Sequence, residues 1–328
     1  MQLLNSYEAA AQAAVLSRAG CVIGNNDITK SVARTKDFSC EIFDTNSEET
    51  AISAAVGRVL QGKRVMLTDL VWLKPAAHYR VPMVSISPGF RNWGLNLLPA
   101  SAQEALEMVL VGYSWSEDRK VLLPVNVVID RLGASTFEPV ELPGQKIIDN
   151  MLGELKLEKY DKHMQYAGHD LEQSAQLAKA VENAYKAVPE FSQNWKKRFK
   201  KPFELVEKFQ LEDAELAIVA YGSSSGNAKL AVQKLRQEGM KVGLLRIKSI
   251  TPLPEKEIAE ALKGAKRIAV VDRQVLTGAW SKLYYLVKAA HAGFTSNFIT
   301  SDSMSVSDFV EIAKRLKSAE GPERIWLI

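Results

Sequence analysis

The sequence predicts an α/β protein of two domains with mainly parallel strands, and three observations carry that prediction. Short β-branched runs alternate with alanine-rich windows, the rhythm of repeated βα units rather than of hairpins. The series halts at a long polar helical stretch, from about Asp170 to Gln210, and then restarts. At 328 residues, 47% apolar and 24% charged, the chain is long enough for two domains that each bury a core.

In chain order, "SYEAAAQAAVLSRA" (Ser6 to Ala19) is alanine-rich and reads as the first helix. The short runs "CVIG" (Cys21 to Gly24) and "SCEIF" (Ser39 to Phe43) read as strands. The next helix is "EETAISAAVGRVLQ" (Glu48 to Gln61), before strands "KRVMLTD" (Lys63 to Asp69) and "VPMVSIS" (Val81 to Ser87). Helix "SAQEALEMVLVGYSWSE" (Ser101 to Glu117) and strand "LLPVNVVID" (Leu122 to Asp130) complete the first series. The second runs through strand "ELAIVAYG" (Glu215 to Gly222), helix "SGNAKLAVQKLRQEG" (Ser225 to Gly239), strand "KVGLLRI" (Lys241 to Ile247), helix "EKEIAEALKG" (Glu255 to Gly264) and strand "RIAVVD" (Arg267 to Asp272). A last helix follows "QVLTGAW" (Gln274 to Trp280). The expected domains are 1–165 and 213–328, joined by a helical linker over 166–212.

Composition excludes several functions. Lys and Arg number 42 against 38 Asp and Glu, so neither a polyanion-binding surface nor an acidic tail is implied. The one dense basic run, "WKKRFKK" (Trp195 to Lys201), reads as a solvated helix face rather than a nucleic-acid contact. Two cysteines, Cys21 and Cys40, make neither a metal site nor an iron-sulfur site and fit a reducing cytoplasm. No apolar stretch has the length of a membrane span and no export signal is read. His78, His163, His169 and His291 form no metal-binding spacing, and no Gly-x-Ser-x-Gly elbow is present. "YGSSSGNAK" (Tyr221 to Lys229) opens a helix after a strand but lacks the P-loop ending and the dinucleotide spacing, so it reads as a tight turn.

One question stays open on the residues alone. Ser47 or Asn46 followed by Glu48 and Glu49 is a good helix start, because the polar side chain satisfies free N–H groups and carboxylates suit the positive end of the dipole. Capping alone accounts for both glutamates.

The order of motifs goes further. The stretch from Asp213 to Trp280, with Gly222-Ser223, the Gly239 turn, "LLRIKSITPLP" and "VVDR" with Gly278, resembles the second domain of the alpha subunit of 2-oxoacid:ferredoxin oxidoreductases, the pyruvate synthase family. "SYEAAAQAA" is similar to that family's opening helix, "SEETAISAAVG" to its cofactor helix, and Leu98 to Asp130 to the closing half of its first domain. The resemblance implies a thiamine-diphosphate pyrimidine-binding-type α/β domain followed by a transketolase C-terminal-like α/β domain. It also implies oxidative decarboxylation of a 2-oxoacid to an acyl-CoA, or the reverse, with electrons passed to ferredoxin and coenzyme A as co-substrate. In such enzymes a glutamate hydrogen-bonds N1′ of the cofactor's aminopyrimidine, favouring the tautomer whose nitrogen removes the C2 proton. The spacing from Glu48 to Gly57 matches that glutamate's spacing to a helix glycine, which makes Glu48 the catalytic and cofactor-binding candidate and Glu49 an ordinary first-turn acid. No Gly-Asp-Gly element is present to hold the diphosphate's Mg2+. The resemblance places that site on a beta subunit and the iron-sulfur clusters on a ferredoxin-like subunit. A gamma subunit completes the complex, and the isolated chain is expected to be inactive.

Departures from the family pattern are concentrated near the substrate. Where the family has Tyr-Pro-Ile-Thr-Pro-Ser, this chain has "NDITKS" (Asn26 to Ser31): Thr29 and Ser31 survive as substrate-binding candidates, and loss of the prolines is expected to loosen the turn that presents Thr29. The segment after Asp69 is shortened, the substrate arginine's place falls on Phe90 with Arg91 next to it, and "NWGLNLLPAS" replaces a longer closing loop. Arg91 is therefore the candidate for a forked contact to the substrate carboxylate. Two other readings stay open: a non-catalytic alpha-like subunit kept for assembly, and the beta-type subunit of a thiamine-dependent dehydrogenase or transketolase-like enzyme.

Overall fold

The computed structural model of the chain describes residues 1–24, 27–34, 40–45, 47–69, 73–155, 170–273, 280–300 and 303–327. These divide into two compact units, Met1–Phe203 and Glu204–Ile328.

The first unit runs β1 (Gln2–Leu4), α1 (Ser6–Leu16), β2 (Cys21–Ile23), α2 (Asp27–Ala33), β3 (Glu41–Phe43), α3 (Glu48–Leu60), β4 (Val65–Thr68), α4 (Lys74–His78), β5 (Val84–Ser87), β6 (Leu95–Leu97), α5 (Ala102–Ser116), β7 (Val125–Val128), α6 (Arg131–Ser135), β8 (Glu138–Val140), α7 (Gln145–Leu152) and α8 (Asp170–Phe199). The polar stretch expected between the domains is α8, which belongs to this unit. Six of its strands pair in parallel in the order β6-β7-β5-β4-β2-β3. Strands β4, β5 and β7 are buried at every position, as a parallel strand covered on both faces requires, whereas edge strand β3 is exposed throughout. Helix α1 starts on a capping box between Asn5 and Glu8. Its alanines 9, 10, 11, 13 and 14 are buried, and their small side chains let it lie close against α5. In α5, Gly112 sits so near the sheet that a Cβ there would stand 3.1 Å from Val84 Cγ2. The basic run at the end of α8 splits by chemistry: Trp195 is buried among Phe191, Phe199 and Phe203, while Lys196, Lys197 and Arg198 are exposed.

The second unit runs β9 (Val206–Phe209), β10 (Leu216–Tyr221), α9 (Ser225–Gln237), β11 (Val242–Ile247), β12 (Ser249–Thr251), α10 (Glu255–Leu262), β13 (Arg267–Asp272), α11 (Lys282–Ala290), β14 (Phe294–Thr300), α12 (Val306–Ser318) and β15 (Arg324–Leu327). Its sheet has the order β15-β14-β13-β10-β11-β9, with β9 alone antiparallel. Alternate residues of β10, Leu216, Ile218 and Ala220, share one core with Ala228, Val232 and Leu235 of α9 and Phe309, Ala313 and Leu316 of α12. "YGSSSGNAK" is the turn from β10 into α9, with Gly222 at φ +70° and Ser224 Oγ accepting the Met304 N–H at 3.3 Å. "QVLTGA" and Gly278 lie outside the described residues. No helix among the described residues is long and apolar enough to cross a membrane.

Candidate functional site

The parallel order of the first unit makes room for a ligand before any side chain is considered. The chain passes from β2 to β3 on one side and returns to β4 on the other. In open α/β sheets ligands bind at such a switch point, in the crevice outside the carboxyl ends of the strands, here those of β2 and β4. Gly24 closes β2 at φ +135°, where any side chain would strike the hydroxyl and carbonyl of Thr68. Asp69 closes β4 in the left-handed region, at φ +60°, with its N–H donating to Ile86 O at 2.8 Å.

Residues 44–47 lead from β3 into α3. The cap is Ser47, whose Oγ accepts the Thr50 N–H at 3.3 Å; Asn46 lies outside the described residues. With capping assigned to the serine, Glu48 stands half-buried at the first helical position and Glu49 is exposed at the second. Gly57 lies on the exposed side of the helix, with open space where a Cβ would be.

Arg91 follows β5. Burial pulls its guanidinium below the ordinary value, and the carboxylates of Glu48 and Asp69 hold it up. One electrostatic field thus joins the loop after β5, the end of β4 and the first turn of α3. Arg91 Nε is buried with no hydrogen-bond partner among the described residues, a donor that an incoming carboxylate would satisfy. Tyr7 of α1 extends the same edge of the sheet. Its phenol is pushed up to about 12, first by burial and then by Asp69, Asp27 and Asp130. Asp130, at the end of β7, is buried and caps α6 through the Gly133 N–H at 2.8 Å.

Thr29 and Ser31 are carried on α2, Thr29 buried and Ser31 half-buried. The loosened turn expected of this segment is instead a helix, with an exposed Asp27–Lys30 ion pair at 3.4 Å. Without proline, every backbone N–H here is free to enter the helical ladder. Asn26 and residues 70–72 of the shortened segment lie outside the described residues. The structure thus groups Glu48 with Arg91 around Asp69, and sets Thr29 and Ser31 on the element that follows β2 at the same sheet edge.

Three site residues were not read from the sequence. Asp69 left a trace, as a polar residue ending an apolar strand; Tyr7 and Asp130 left none, because only the sheet order brings their elements together. Among the described residues no group of three His, Cys, Asp or Glu is placed to hold a metal. His78 packs edge-on against Trp93 at 5.0 Å, and His163 and His169 lie outside the described residues. Burial raises the Cys21 thiol and pushes Cys40 up to about 12, which keeps both protonated. For thiamine diphosphate the residues fit one contact: a half-buried carboxylate at the crevice, positioned by its helix, suits a ring nitrogen.

Residues 214–302 match the family model of pyruvate:ferredoxin oxidoreductase core domain II. Over 341 residues the chain is 28% identical to pyruvate synthase subunit PorA of Pyrococcus furiosus, covering 88% of this chain and 84% of the relative. To the PorA subunit of Thermotoga maritima it is 30% identical over 296 residues, covering 76% and 73%. Among solved structures it resembles a 2-oxoglutarate:ferredoxin oxidoreductase from Magnetococcus marinus, with a TM-score of 0.73 at 14% identity, and it spans 65% of that chain's length. At that identity the likeness speaks for the fold.

Proposed function

Because this chain belongs to the alpha-subunit family of the 2-oxoacid:ferredoxin oxidoreductases, we propose that its first unit supplies the aminopyrimidine contact of a shared thiamine diphosphate and the grip on the substrate carboxylate. The observation that carries this is the buried Nε of Arg91, with no hydrogen-bond partner among the described residues, on a guanidinium that feels the charge of Glu48. When bound, thiamine diphosphate supplies the carbon nucleophile and electron sink of 2-oxoacid decarboxylation. Glu48 holds a proton against N1′ of the aminopyrimidine, which a carboxyl group can do and an amide cannot. Arg91 forks onto the carboxylate of the 2-oxoacid, and the hydroxyls of Thr29 and Ser31 serve the same end of the substrate. A beta subunit holds the diphosphate and Mg2+. Gamma and ferredoxin-like subunits complete the path, the latter carrying the iron-sulfur clusters, and coenzyme A takes the acyl group. Two cysteines, too few to ligate an iron-sulfur cluster, support placing the clusters on another subunit.

The test is the complex isolated with its native partners, assayed for bound thiamine diphosphate, iron and coenzyme A-dependent dye reduction with pyruvate, 2-oxoglutarate and phenylglyoxylate. Turnover of one acid identifies the substrate. Glu48→Gln is expected to assemble in normal subunit ratios with turnover reduced by about 10²–10⁴-fold, the usual span for one general acid–base group; full turnover would remove Glu48 from the chemistry. The shortened segments after Asp69 and Phe90 favour a second reading, an assembly subunit without catalysis. A stable complex lacking both thiamine diphosphate and turnover would establish that reading instead.

A further inference from the structure

The loop that carries Arg91 is short, yet it is held by an unusual amount of buried amide chemistry. Asn96 of β6 and Asn126 of β7 are fully buried, as is Ser87 at the end of β5. The Asn96 side chain bonds the backbone of Arg91 on both sides, as a neighbouring strand would: Oδ1 accepts the Arg91 N–H at 2.8 Å and Nδ2 donates to the Arg91 carbonyl at 2.7 Å. Its second donor points to Gly94 O at 3.5 Å, and its second acceptor site takes Asn126 Nδ2 at 3.1 Å. All four hydrogen-bonding positions of the Asn96 amide are thus used within this loop and its support.

Asn126 holds Asn96 in turn. Gly89 O and Asn96 Oδ1 only accept, so the NH₂ of Asn126 must face them, at 3.1 Å each. That leaves Asn126 Oδ1 for Ser87 Oγ at 2.8 Å, and the Ser87 hydroxyl also lies 2.8 Å from Gly89 O. Beyond the loop, Gly94 at φ +123° presses so closely on the Pro124 carbonyl that no side chain fits, and Trp93 lies against His78 and beneath the Lys74 ammonium, 5.3 Å from its ring centre. Two buried asparagines are expensive in an apolar sheet unless every group is satisfied. Here two of the Asn96 groups meet the backbone of one residue, Arg91, whose own Nε is buried with no hydrogen-bond partner among the described residues.

We propose that Asn96, buttressed by Asn126, is a positioning residue for the substrate: it fixes the backbone of Arg91 so that the guanidinium meets the 2-oxoacid carboxylate. This rests on the reading that Arg91 binds that carboxylate, and a double-mutant cycle separates the two claims.

In the assembled complex, with the acid of the three-member panel that turns over fastest, Arg91→Ala and Asn96→Ala are each expected to raise the 2-oxoacid KM about tenfold or more, the scale of one charge-assisted contact. The KM for coenzyme A and the bound thiamine diphosphate should not change. In the Arg91→Ala background, adding Asn96→Ala should change the 2-oxoacid KM by less than about twofold, because a residue acting through Arg91 has nothing left to act on. In the isolated chain, hydrogen exchange of a peptide covering residues 88–94 should be faster in Asn96→Ala while peptides of α1 and α5 keep their protection. The same KM factor in both backgrounds, or unaltered exchange at 88–94, would overturn the positioning role. If Arg91→Ala leaves the 2-oxoacid KM at the wild-type value, the carboxylate reading itself fails and the proposal falls with it. Should Asn96→Ala not assemble, Asn126→Ala keeps both Asn96–Arg91 backbone bonds and loses the bonds that Asn126 makes to Asn96, Gly89 and Ser87. It is expected to raise KM about threefold, again only where Arg91 is present, and equal factors in both backgrounds would count against the proposal.

Discussion

At the scale of single residues the site is defined by neighbours that come from different strands. Tyr7 shows the consequence most directly. Its phenol is held up at about 12 by burial and by the carboxylates of Asp69, Asp27 and Asp130, against an ordinary value of 10.0. A folded-state value above the unfolded one favours the neutral phenol in the fold. Its contribution is therefore complete below pH 10 and is lost as the pH rises toward 12. Tyr7→Phe removes that ionisation, so the alkaline unfolding midpoint, followed by circular dichroism, should move to higher pH. An unchanged midpoint would mean that neither burial nor the three carboxylates raises the phenol in the fold. Glu48 was legible in the sequence because a helix start, paired acids and a glycine nine residues on are all local features. Its relation to Arg91, 43 positions away (91 − 48), is set by the parallel sheet and had no local signature.

At the scale of elements, one buried arginine ties together helix ends that the sequence keeps far apart. Arg64, just before β4, forks onto the Glu117 carboxylate at 2.6 and 2.9 Å, with the pair 6% and 11% exposed. The same guanidinium donates to the carbonyls of Ser17, Leu152 and Gly153, so it also closes the carboxyl ends of α1 and α7. Burial raises the Glu117 carboxyl while Arg64 opposes the shift. Glu117→Ala would leave the arginine charge buried without its carboxylate. The expected loss is about 3–5 kcal/mol, read as a lower urea midpoint of the isolated chain. A shift within about 0.5 kcal/mol would place the pair among surface-like contacts. Most strands of the βα units were legible to within a few residues, since apolar runs mark them directly. Strands β6, β9, β14 and β15 and helices α2 and α12 were not: β6 is three residues among prolines and glycines, β9 sets two charges between Val206 and Phe209, β14 carries Thr295, Ser296 and Asn297 inside it, and α2 takes its form from the proline-free sequence between β2 and the edge strand.

At the scale of the whole molecule, the chain is a folded part of a larger enzyme. Each unit has a core of its own, so the chain purified alone should fold and show native circular dichroism. The same preparation should carry no iron and reduce no dye with any 2-oxoacid, and both should appear on reconstitution with the partner subunits. Turnover by the chain alone would refute the division of the cofactor site between subunits.

The sequence by itself determined the α/β class, the two βα series, the helix start at Ser47–Glu48 and the scarcity of cysteine, because each is written in local periodicity, capping chemistry or composition. Only the tertiary structure decided which residues share the crevice. Strand order is a long-range choice, and it alone brings Asp69, Arg91 and Glu48 into one field, surrounds Tyr7 with carboxylates, and sets Asn96 and Asn126 beneath the loop that carries the arginine.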